Sequence, residues 1–139
     1  MKKYLFIIYF AFIANNLFGQ SLLIYGGKNQ DIFLGCLNFD KFEDKSIWNK
    51  FGNNGSKFND KCIWNKFGEY GGKFSDFSPF NKFASKPPIL VDKYGNFYGY
   101  FTADKYFTKR TTSKLALLII DYWEEIFDNI DGYYEKIFK

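Results

Sequence analysis

Asp44–Asn59 reads DKSIWNKFGNNGSKFN and is followed at once by Asp60–Ser75, which reads DKCIWNKFGEYGGKFS. Eleven of the sixteen positions are identical, and a third, diverged copy begins at Asp76. A fixed period of this kind is typical of units that stack on one another, because a single unit is too small to bury its own apolar residues. We therefore expect the repeat segment, residues 44–91, to decide the architecture of the chain.

Each unit carries Ile-Trp-Asn-Lys-Phe, which we interpret as about one helical turn that ends at Gly52 or Gly68. We expect the isoleucine, the tryptophan and both phenylalanines of a unit to pack on its neighbour. Trp48, Trp64 and Phe80 occupy equivalent positions. Three interpretations of these rings remain open: a stacked core, a row of platforms for sugar rings, or a protein-contact surface. The repeated asparagines should bond loop backbone: Asn49, Asn65 and Asn81.

Two hairpins are predicted on either side of the repeats. Residues 22–37 contain two apolar runs around a Gly-Gly-Lys-Asn turn, and residues 88–102 contain two runs around Asp-Lys-Tyr-Gly. The last strand alternates apolar residues with Tyr98 and Tyr100, as a half-buried strand does. These tyrosines are candidates for facing a ligand.

One C-terminal helix is predicted over residues 113–128, with Ser113 as its cap and Gly132 beyond its end. Its apolar positions recur at helical spacing, so we expect it to dock on the sheet or to meet a partner. The predicted fold is a small α+β single domain with two β-hairpins, a loop-rich repeat segment and this helix.

The first nineteen residues are typical of a bacterial signal peptide. Lys2 and Lys3 precede an apolar run, Tyr4–Ala14, and Gly19 supplies the small residue that a signal peptidase needs. The alternative, a membrane anchor, requires an apolar run of roughly 20 residues. We predict cleavage after Gly19, which leaves residues 20–139 as a secreted or periplasmic domain without membrane insertion.

Composition limits the classes of partner. The chain has 19 basic and 15 acidic residues, and its lysines are spread along the sequence, so no nucleic-acid partner is expected. The 19 phenylalanines and 11 tyrosines form an unusually large aromatic share. An alternative origin for part of that share is an AT-rich genome. Such a genome favours the codons for phenylalanine and tyrosine, together with those for lysine, asparagine and isoleucine.

The chain contains no histidine, which excludes Ser-His-Asp and Cys-His catalysis and histidine-based zinc binding. We predict no catalytic residue, no metal site and no cofactor. Cys36 and Cys62 either form a disulfide or remain two free buried thiols. If the protein were an enzyme, carboxylates would act, and the candidates near the repeats are Asp40, Glu43 and Glu69.

Leu34–Asn38 reads LGCLN, the repeats carry SIWN, and Pro87–Thr102 reads PPILVDKYGNFYGYFT. In this combination the chain resembles a group of small secreted bacterial proteins of unknown function, over about residues 22–112. That pattern often has a second cysteine where this chain has Phe39, and a tryptophan where it has Phe80. The resemblance implies the domain and supplies no activity.

The expected function is that of a non-catalytic interaction module for an envelope or extracellular polymer, such as a polysaccharide or cell-wall polymer. Two alternatives remain: a small carboxylate-dependent glycan hydrolase, and a structural subunit that meets a protein partner through the C-terminal helix. The candidate ligand-binding residues are aromatic: Trp48, Trp64, Phe80, Tyr98 and Tyr100.

Overall fold

The computed structural model describes residues 20–139, and the predicted signal peptide, residues 1–19, lies outside the described residues. Four strands surround the repeats, and three short helices follow them. In chain order these elements are β1 (Leu23–Gly26), β2 (Ile32–Cys36), β3 (Ile89–Val91), β4 (Phe97–Tyr100), α1 (Lys114–Asp121), α2 (Trp123–Asp128) and α3 (Ile130–Phe138).

The strands form one antiparallel sheet in the order β2-β1-β3-β4. Both predicted hairpins are confirmed, and β1 pairs with β3 to join them. In the second hairpin the Gly95 amide donates to the Asp92 carbonyl at 3.0 Å, while the Asp92 carboxylate accepts from the amides of Tyr94 and Asn96. An aspartate that bonds the backbone of its own turn is a common way to fix a tight loop.

Both edges of the sheet are covered by other parts of the chain. At the β2 edge, the Cys36 amide donates to the Lys45 carbonyl at 2.7 Å, and the Ile47 amide donates to the Cys36 carbonyl at 3.2 Å. At the β4 edge, the Thr111 amide donates to the Tyr100 carbonyl at 2.8 Å. The unpaired strand groups that would favour edge-to-edge association are therefore used internally.

The repeat segment is a continuous run of turns rather than a series of short helices. The amides of Asn49, Gly52 and Cys62 each donate to the carbonyl three residues earlier, and this bond recurs along the segment. Gly52 and Gly68 do not have positive φ, so the predicted left-handed helix ends are wrong. Polar side chains explain the difference, because serine and asparagine bond nearby backbone groups and compete with helix formation.

The repeated asparagines hold these turns together, as expected. Each side-chain amide donates to the carbonyl six residues earlier, at 2.9 to 3.1 Å, and each side-chain oxygen accepts from the amide two residues later. These bonds satisfy backbone groups that no strand or helix pairs. The three residues are Asn49, Asn65 and Asn81.

An aromatic column runs through the core. Trp48 and Trp64 lie with ring centroids 5.8 Å apart, and Phe80 lies 5.9 Å beyond Trp64. The helices close both ends of this column, with Trp123 stacked 4.9 Å from Phe80 and Tyr134 lying 5.9 Å from Trp48. Each such ring pair adds about 0.5–1.5 kcal/mol beyond the area it buries.

The first two units lie against neighbouring strands of the sheet, and the third lies against the segment that follows β4. The first unit lies against β2, where an added Cβ on Gly35 would stand 2.8 Å from Ile47. The second lies against β1, where an added Cβ on Gly26 would stand 3.6 Å from Tyr70. The third meets the chain after β4 through two contacts: Phe80 with Phe101, at 6.3 Å, and the Ala103 amide with the Pro79 carbonyl, at 2.7 Å.

The predicted C-terminal helix is present in divided form. Ser113 caps α1 as expected, since its hydroxyl accepts from the Ala116 amide at 3.3 Å. The chain breaks at Tyr122 and again at Asn129, whose side chain accepts from the Gly132 amide and caps α3. Gly132 therefore lies inside a helix and not beyond one. The α+β class holds, with three helices in place of one.

Within residues 20–139, the helices are all too short or too polar to cross a membrane.

A glycine inside each of the first two units is required by a close backbone approach. An added Cβ on Gly55 would stand 2.0 Å from the Asn49 carbonyl oxygen, and one on Gly71 would stand 2.3 Å from that of Asn65. We predict that Gly71→Ala lowers the free energy of unfolding by about 1–3 kcal/mol, because the turn must open to admit the methyl group.

Chemical denaturation monitored by tryptophan fluorescence measures this effect. Asn53→Ala, at an exposed position of the first unit, is the matched control and should change stability by less than about 0.5 kcal/mol. Equal stability of Gly71→Ala and the wild type would contradict the packing of the unit described above.

Candidate functional site: exposed lysine–aromatic pairs

The rings that the sequence offered as a ligand platform lie in the core. Trp48, Trp64 and Phe80 are 0%, 1% and 3% exposed. The indole N–H of Trp48 donates to the Leu37 carbonyl at 2.7 Å, and that of Trp64 donates to the Ile47 carbonyl at 2.6 Å. Because these rings have no free face, the platform interpretation is wrong for them, and the stacked-core interpretation holds.

Tyr98 and Tyr100 lie half-buried on β4. The Tyr98 hydroxyl donates to the Asp92 carboxylate at 3.1 Å and contacts the Gln20 side chain. Burial, helped by that carboxylate, raises the pKa of Tyr98. The Tyr100 ring lies 4.9 Å from Phe107. Both side chains have internal partners, and their contact with a ligand stays a prediction.

The three candidate catalytic carboxylates are spread over exposed turns. Asp40, Glu43 and Glu69 are all exposed, and Asp40 accepts from the Phe42 amide at 2.9 Å, which gives it a local structural use. A pair that hydrolyses glycosides must flank one bond of the substrate inside a shaped site. Nothing in the placement of these carboxylates forms such a site.

The largest exposed apolar surface comes instead from a different set of aromatic residues. Eight phenylalanine and tyrosine side chains are 78–95% exposed, whereas the other large apolar residues on the surface are 37–48% exposed. Apolar residues scattered singly over a surface are ordinary, but a patterned set calls for a reason. The eight are Phe42, Phe51, Phe58, Phe67, Phe74, Phe83, Tyr94 and Tyr106.

Each of these eight rings directly follows a lysine, and residues 20–139 contain no other lysine that directly precedes an aromatic residue. The three less exposed side chains, Phe97, Leu118 and Tyr122, follow other residue types. Exposure and the preceding lysine therefore go together throughout the described chain. The pairing marks these rings as surface elements and separates them from the core aromatics.

A local turn fixes the backbone at most of these exposed rings. In seven of the eight cases an aspartate, asparagine or serine two residues earlier accepts a hydrogen bond from the amide of the aromatic residue, at 2.9 to 3.3 Å. The exception is Phe74, because the residue two positions before it is Gly72, which has no side-chain oxygen. The side-chain oxygen bends the backbone so that lysine and ring project together. The sequence signal is thus a polar residue, then lysine, then an aromatic residue, and the analysis of tryptophan positions missed it.

Five of these pairs lie within the repeat segment and a sixth, Lys41–Phe42, lies just before it; together they form what we call the Lys–Phe ladder. They fall into two sets with the sixteen-residue spacing, Phe42–Phe58–Phe74 and Phe51–Phe67–Phe83. Because the units stack with core rings 5.8 and 5.9 Å apart, we expect equivalent rings of successive units to follow one another in rows. The six pairs are Lys41–Phe42, Lys50–Phe51, Lys57–Phe58, Lys66–Phe67, Lys73–Phe74 and Lys82–Phe83.

The ammonium group stays close to its own ring in several of the pairs. The Nζ atoms of Lys41, Lys50 and Lys66 lie 5.5, 5.4 and 5.8 Å from the ring centroids of the next residue. At exposed sites such cation–π contacts contribute about 0.5–1 kcal/mol. These three rungs therefore present a positive charge and an apolar face side by side.

Acidic residues of α3 hold the first part of the ladder against the helices. Lys41 pairs with Glu135 at 2.8 Å, and Lys50 pairs with Asp131 at 3.0 Å. The hydrogen bond to Glu135 raises the pKa of Lys41, and the same bond lowers the pKa of Glu135. These two ion pairs hold the first two rungs against α3.

Phe127 of α2 connects the first and second units to the helices. The Nζ atom of Lys57 lies 4.1 Å from its ring centroid, and that of Lys66 lies 4.8 Å away. An open cleft of about 360 Å³ follows this junction, with Phe51 and Phe58 on its ladder side and Asp128 on its helix side. Its volume lies within the range of small-ligand clefts.

The thiols form no part of this surface. Cys36 and Cys62 are both buried and free, so the structure has the two unpaired thiols and not the disulfide. Cys36 donates to the Asn38 side-chain oxygen at 3.3 Å, and the Cys62 sulfur accepts from the Trp64 amide at 3.3 Å. Burial raises the pKa of Cys36 to about 11 and that of Cys62 to about 12.

The chemistry available at the ladder is that of binding. Among residues 20–139 there is no cluster of cysteine and acidic side chains that could hold a metal ion. What the surface offers is rows of apolar faces, each with an adjacent positive charge, along one direction of the repeat stack. Such a surface suits an extended partner with apolar faces.

The division between core and surface rings predicts opposite effects of two similar substitutions. Trp64→Ala should lower the free energy of unfolding by about 3–5 kcal/mol, since it removes a buried ring and leaves the Ile47 carbonyl without its donor. Phe67→Ala should change it by less than about 0.5 kcal/mol. Urea denaturation of both variants tests the assignment, and a large loss for Phe67→Ala would contradict it.

The two thiols should stay reduced, and in the folded protein they should react slowly with alkylating reagents. We expect alkylation of folded protein by iodoacetamide at pH 8 to be slow, because both groups are protonated well above that pH. In denaturant their pKa values return to about 8.5 and both should react rapidly. Intact mass before and after unfolding measures this. A mass two hydrogens lower without reductant, or rapid labelling of the folded protein, would contradict the assignment.

The chain matches no protein-family model, no curated protein sequence and no solved structure. The geometry of residues 20–139 is accordingly the basis of the functional proposal.

Proposed function

We propose that this protein is an exported, non-catalytic module that binds an extended envelope or extracellular polymer through the Lys–Phe ladder. The observation that carries the proposal is the exposure of all six ladder rings, each beside a lysine. The binding surface differs from the one expected at first, because the tryptophans of the repeat form the core and the phenylalanines face outward.

The energetics of the exposed rings support a binding role. Burying a phenylalanine side chain contributes about 1.5–3 kcal/mol, and the ladder rings forgo most of this in the isolated chain. The core does not lack aromatic residues, since Trp48, Trp64 and Phe80 fill the equivalent inward positions. Six exposed rings at two positions of the sixteen-residue period are therefore available for contacts with another molecule.

The arrangement in rows favours a polymer over a compact ligand. A single small molecule fills one concave pocket, whereas successive rungs repeat the same contact along the stack. Weak contacts made by several rungs of one chain add to a useful affinity because the second contact is intramolecular. Export, predicted from residues 1–19, would bring the ladder to envelope and extracellular polymers.

Experiments on the same purified protein can test two other functions. A carboxylate-dependent glycan hydrolase would shorten a bound polymer, and a subunit that acts through its helices would show a larger mass with its protein partner. The cleft beside α2 and α3 does contain Asp128 and Asp131, but Asp131 is paired with Lys50. We therefore keep binding as the proposal.

A sedimentation assay with protein expressed from the full chain tests the proposed polymer binding. Isolated cell-wall sacculi and insoluble polysaccharides should retain the wild type, and Phe58→Ala/Phe67→Ala should reduce retention by at least tenfold, since each stacked ring contributes about 1–3 kcal/mol. Both rings are exposed, so the variant should remain folded, which circular dichroism and denaturation verify.

Phe97→Ala is the control, because Phe97 is an exposed aromatic residue outside the ladder. It should bind as the wild type does. Absence of retention on every polymer, or equal retention of the ladder variant, would overturn the proposal. Shortening of the polymer during the assay would favour the hydrolase instead.

A further inference from the structure

We infer that the polymer recognised by the Lys–Phe ladder is an anionic polysaccharide, whose sugar faces stack on the rings while its acidic groups pair with the neighbouring lysines. This inference rests on the proposed function and names the class of polymer. Carboxylate-bearing and phosphate-bearing glycans share the chemistry that the ladder would recognise.

Charge is divided between two parts of the molecule. Residues 41–83, which contain the ladder, have eight lysines and five acidic residues. Residues 114–139, which contain the helices, have three lysines and six acidic residues. Residues 84–113 have five basic and two acidic residues, an excess of three that equals that of residues 41–83. The negative charge is therefore concentrated on the helices, and the repeat face is one of two positive parts of the molecule. An anionic partner would be attracted to that face and repelled by the helices.

The lysines of the third unit are the ones that this partner would meet. Lys41 and Lys50 already pair with acidic residues of α3. Lys73 and Lys82 are exposed, and no acidic side chain of residues 20–139 forms an ion pair with either. They directly precede Phe74 and Phe83, whose rings are exposed. An ammonium group next to a free ring is a site for an acid and an apolar face on one ligand.

Every ring of the ladder directly follows a lysine. The ligand should therefore carry both an acidic group and an apolar face in each of its own repeating units. A neutral glycan would need the rings alone, and the lysines would contribute nothing to its recognition. A polyanion without apolar faces would need the lysines alone, and six exposed phenylalanines would be unused. An acidic sugar has C–H faces that cover a ring and a carboxylate or phosphate that reaches the adjacent ammonium group.

A lipid surface fits the ladder less well. Aromatic residues that anchor proteins to membranes insert into the boundary between headgroups and acyl chains, with charged groups left outside. In the ladder the ammonium groups of Lys41, Lys50 and Lys66 lie within 5.8 Å of the ring centroids. Inserting the rings would carry these charges toward the acyl layer, which is costly.

A single-stranded nucleic acid also offers rings and charges, but it carries a phosphate at every nucleotide. Proteins that bind it track the backbone with a continuous basic groove. Here five acidic residues are interleaved with the eight lysines of residues 41–83, which opposes a dense polyanion. An acidic polysaccharide with charges spaced by sugar rings is the better match.

The experiment compares soluble polymers that differ in charge. The probes are polygalacturonate, a glycerol-phosphate-bearing wall polymer, neutral dextran of similar size, phosphatidylglycerol vesicles and oligothymidylate, each titrated at low and high salt. Wild-type protein should bind at least one of the two anionic polymers about tenfold more tightly than dextran, and added salt should weaken that binding. Whichever anionic polymer binds identifies the acidic group.

Matched variants separate charge from stacking. Lys73→Gln/Lys82→Gln should weaken anionic binding about fivefold to tenfold. Lys61→Gln/Lys86→Gln removes the same net charge from exposed lysines that precede no aromatic residue, and it should leave binding nearly unchanged. Phe74→Leu/Phe83→Leu keeps apolar side chains but removes the flat faces, and it should also weaken binding.

The outcomes distinguish this inference from the proposed function. Equal binding of dextran and anionic polymers, with full binding by Lys73→Gln/Lys82→Gln and loss in the phenylalanine variant, would overturn the anionic inference and leave polymer binding intact. Equal losses in the two lysine double variants would also overturn it, because net charge alone would then explain binding. Tighter binding to vesicles or oligothymidylate, or no binding at all, would overturn both.

Discussion

The packing of the aromatic column is the interaction on which the rest of the structure depends. Trp48, Trp64 and Phe80 stack at 5.8 and 5.9 Å, and the helices complete the column at both ends through Trp123 and Tyr134. The two indole N–H groups donate to backbone carbonyls of the preceding segment. Each ring thereby sets both the spacing and the orientation of its unit. Turns that lack the regular hydrogen bonds of a sheet or helix could not maintain that arrangement alone.

The column also relates the repeats to the sheet. Neighbouring strands lie about 4.7–4.9 Å apart, close to the separation of the stacked rings, so one unit can follow each strand. Contacts of Gly35 with Ile47 and of Gly26 with Tyr70 show this correspondence for the first two units. A surface position repeated in each unit is then repeated in space, and the rows of the ladder are a consequence of the core.

One local turn serves both faces of the repeat. The Ser46 hydroxyl accepts from the Trp48 amide at 3.0 Å, and the Asn49 side chain accepts from the Phe51 amide at 3.0 Å. Trp48 is buried, whereas Phe51 is exposed. The middle residue of the two turns differs: it is Ile47 in the buried turn and Lys50 in the exposed turn. The middle residue of the turn thus shows which way the ring faces. The interpretation of the tryptophans as surface platforms ignored that residue.

The sequence by itself determined what depends on local pattern: the sixteen-residue period, the two hairpins, the Ser113 cap and the backbone role of Asn49. These features follow from alternation, turn chemistry and side-chain bonds a few residues apart. Tertiary structure decided which aromatic rings are buried, that the two thiols remain free, and where the C-terminal helix is divided. Those outcomes depend on which surfaces meet after the units stack, and contacts between residues distant in sequence leave no periodic trace in the chain.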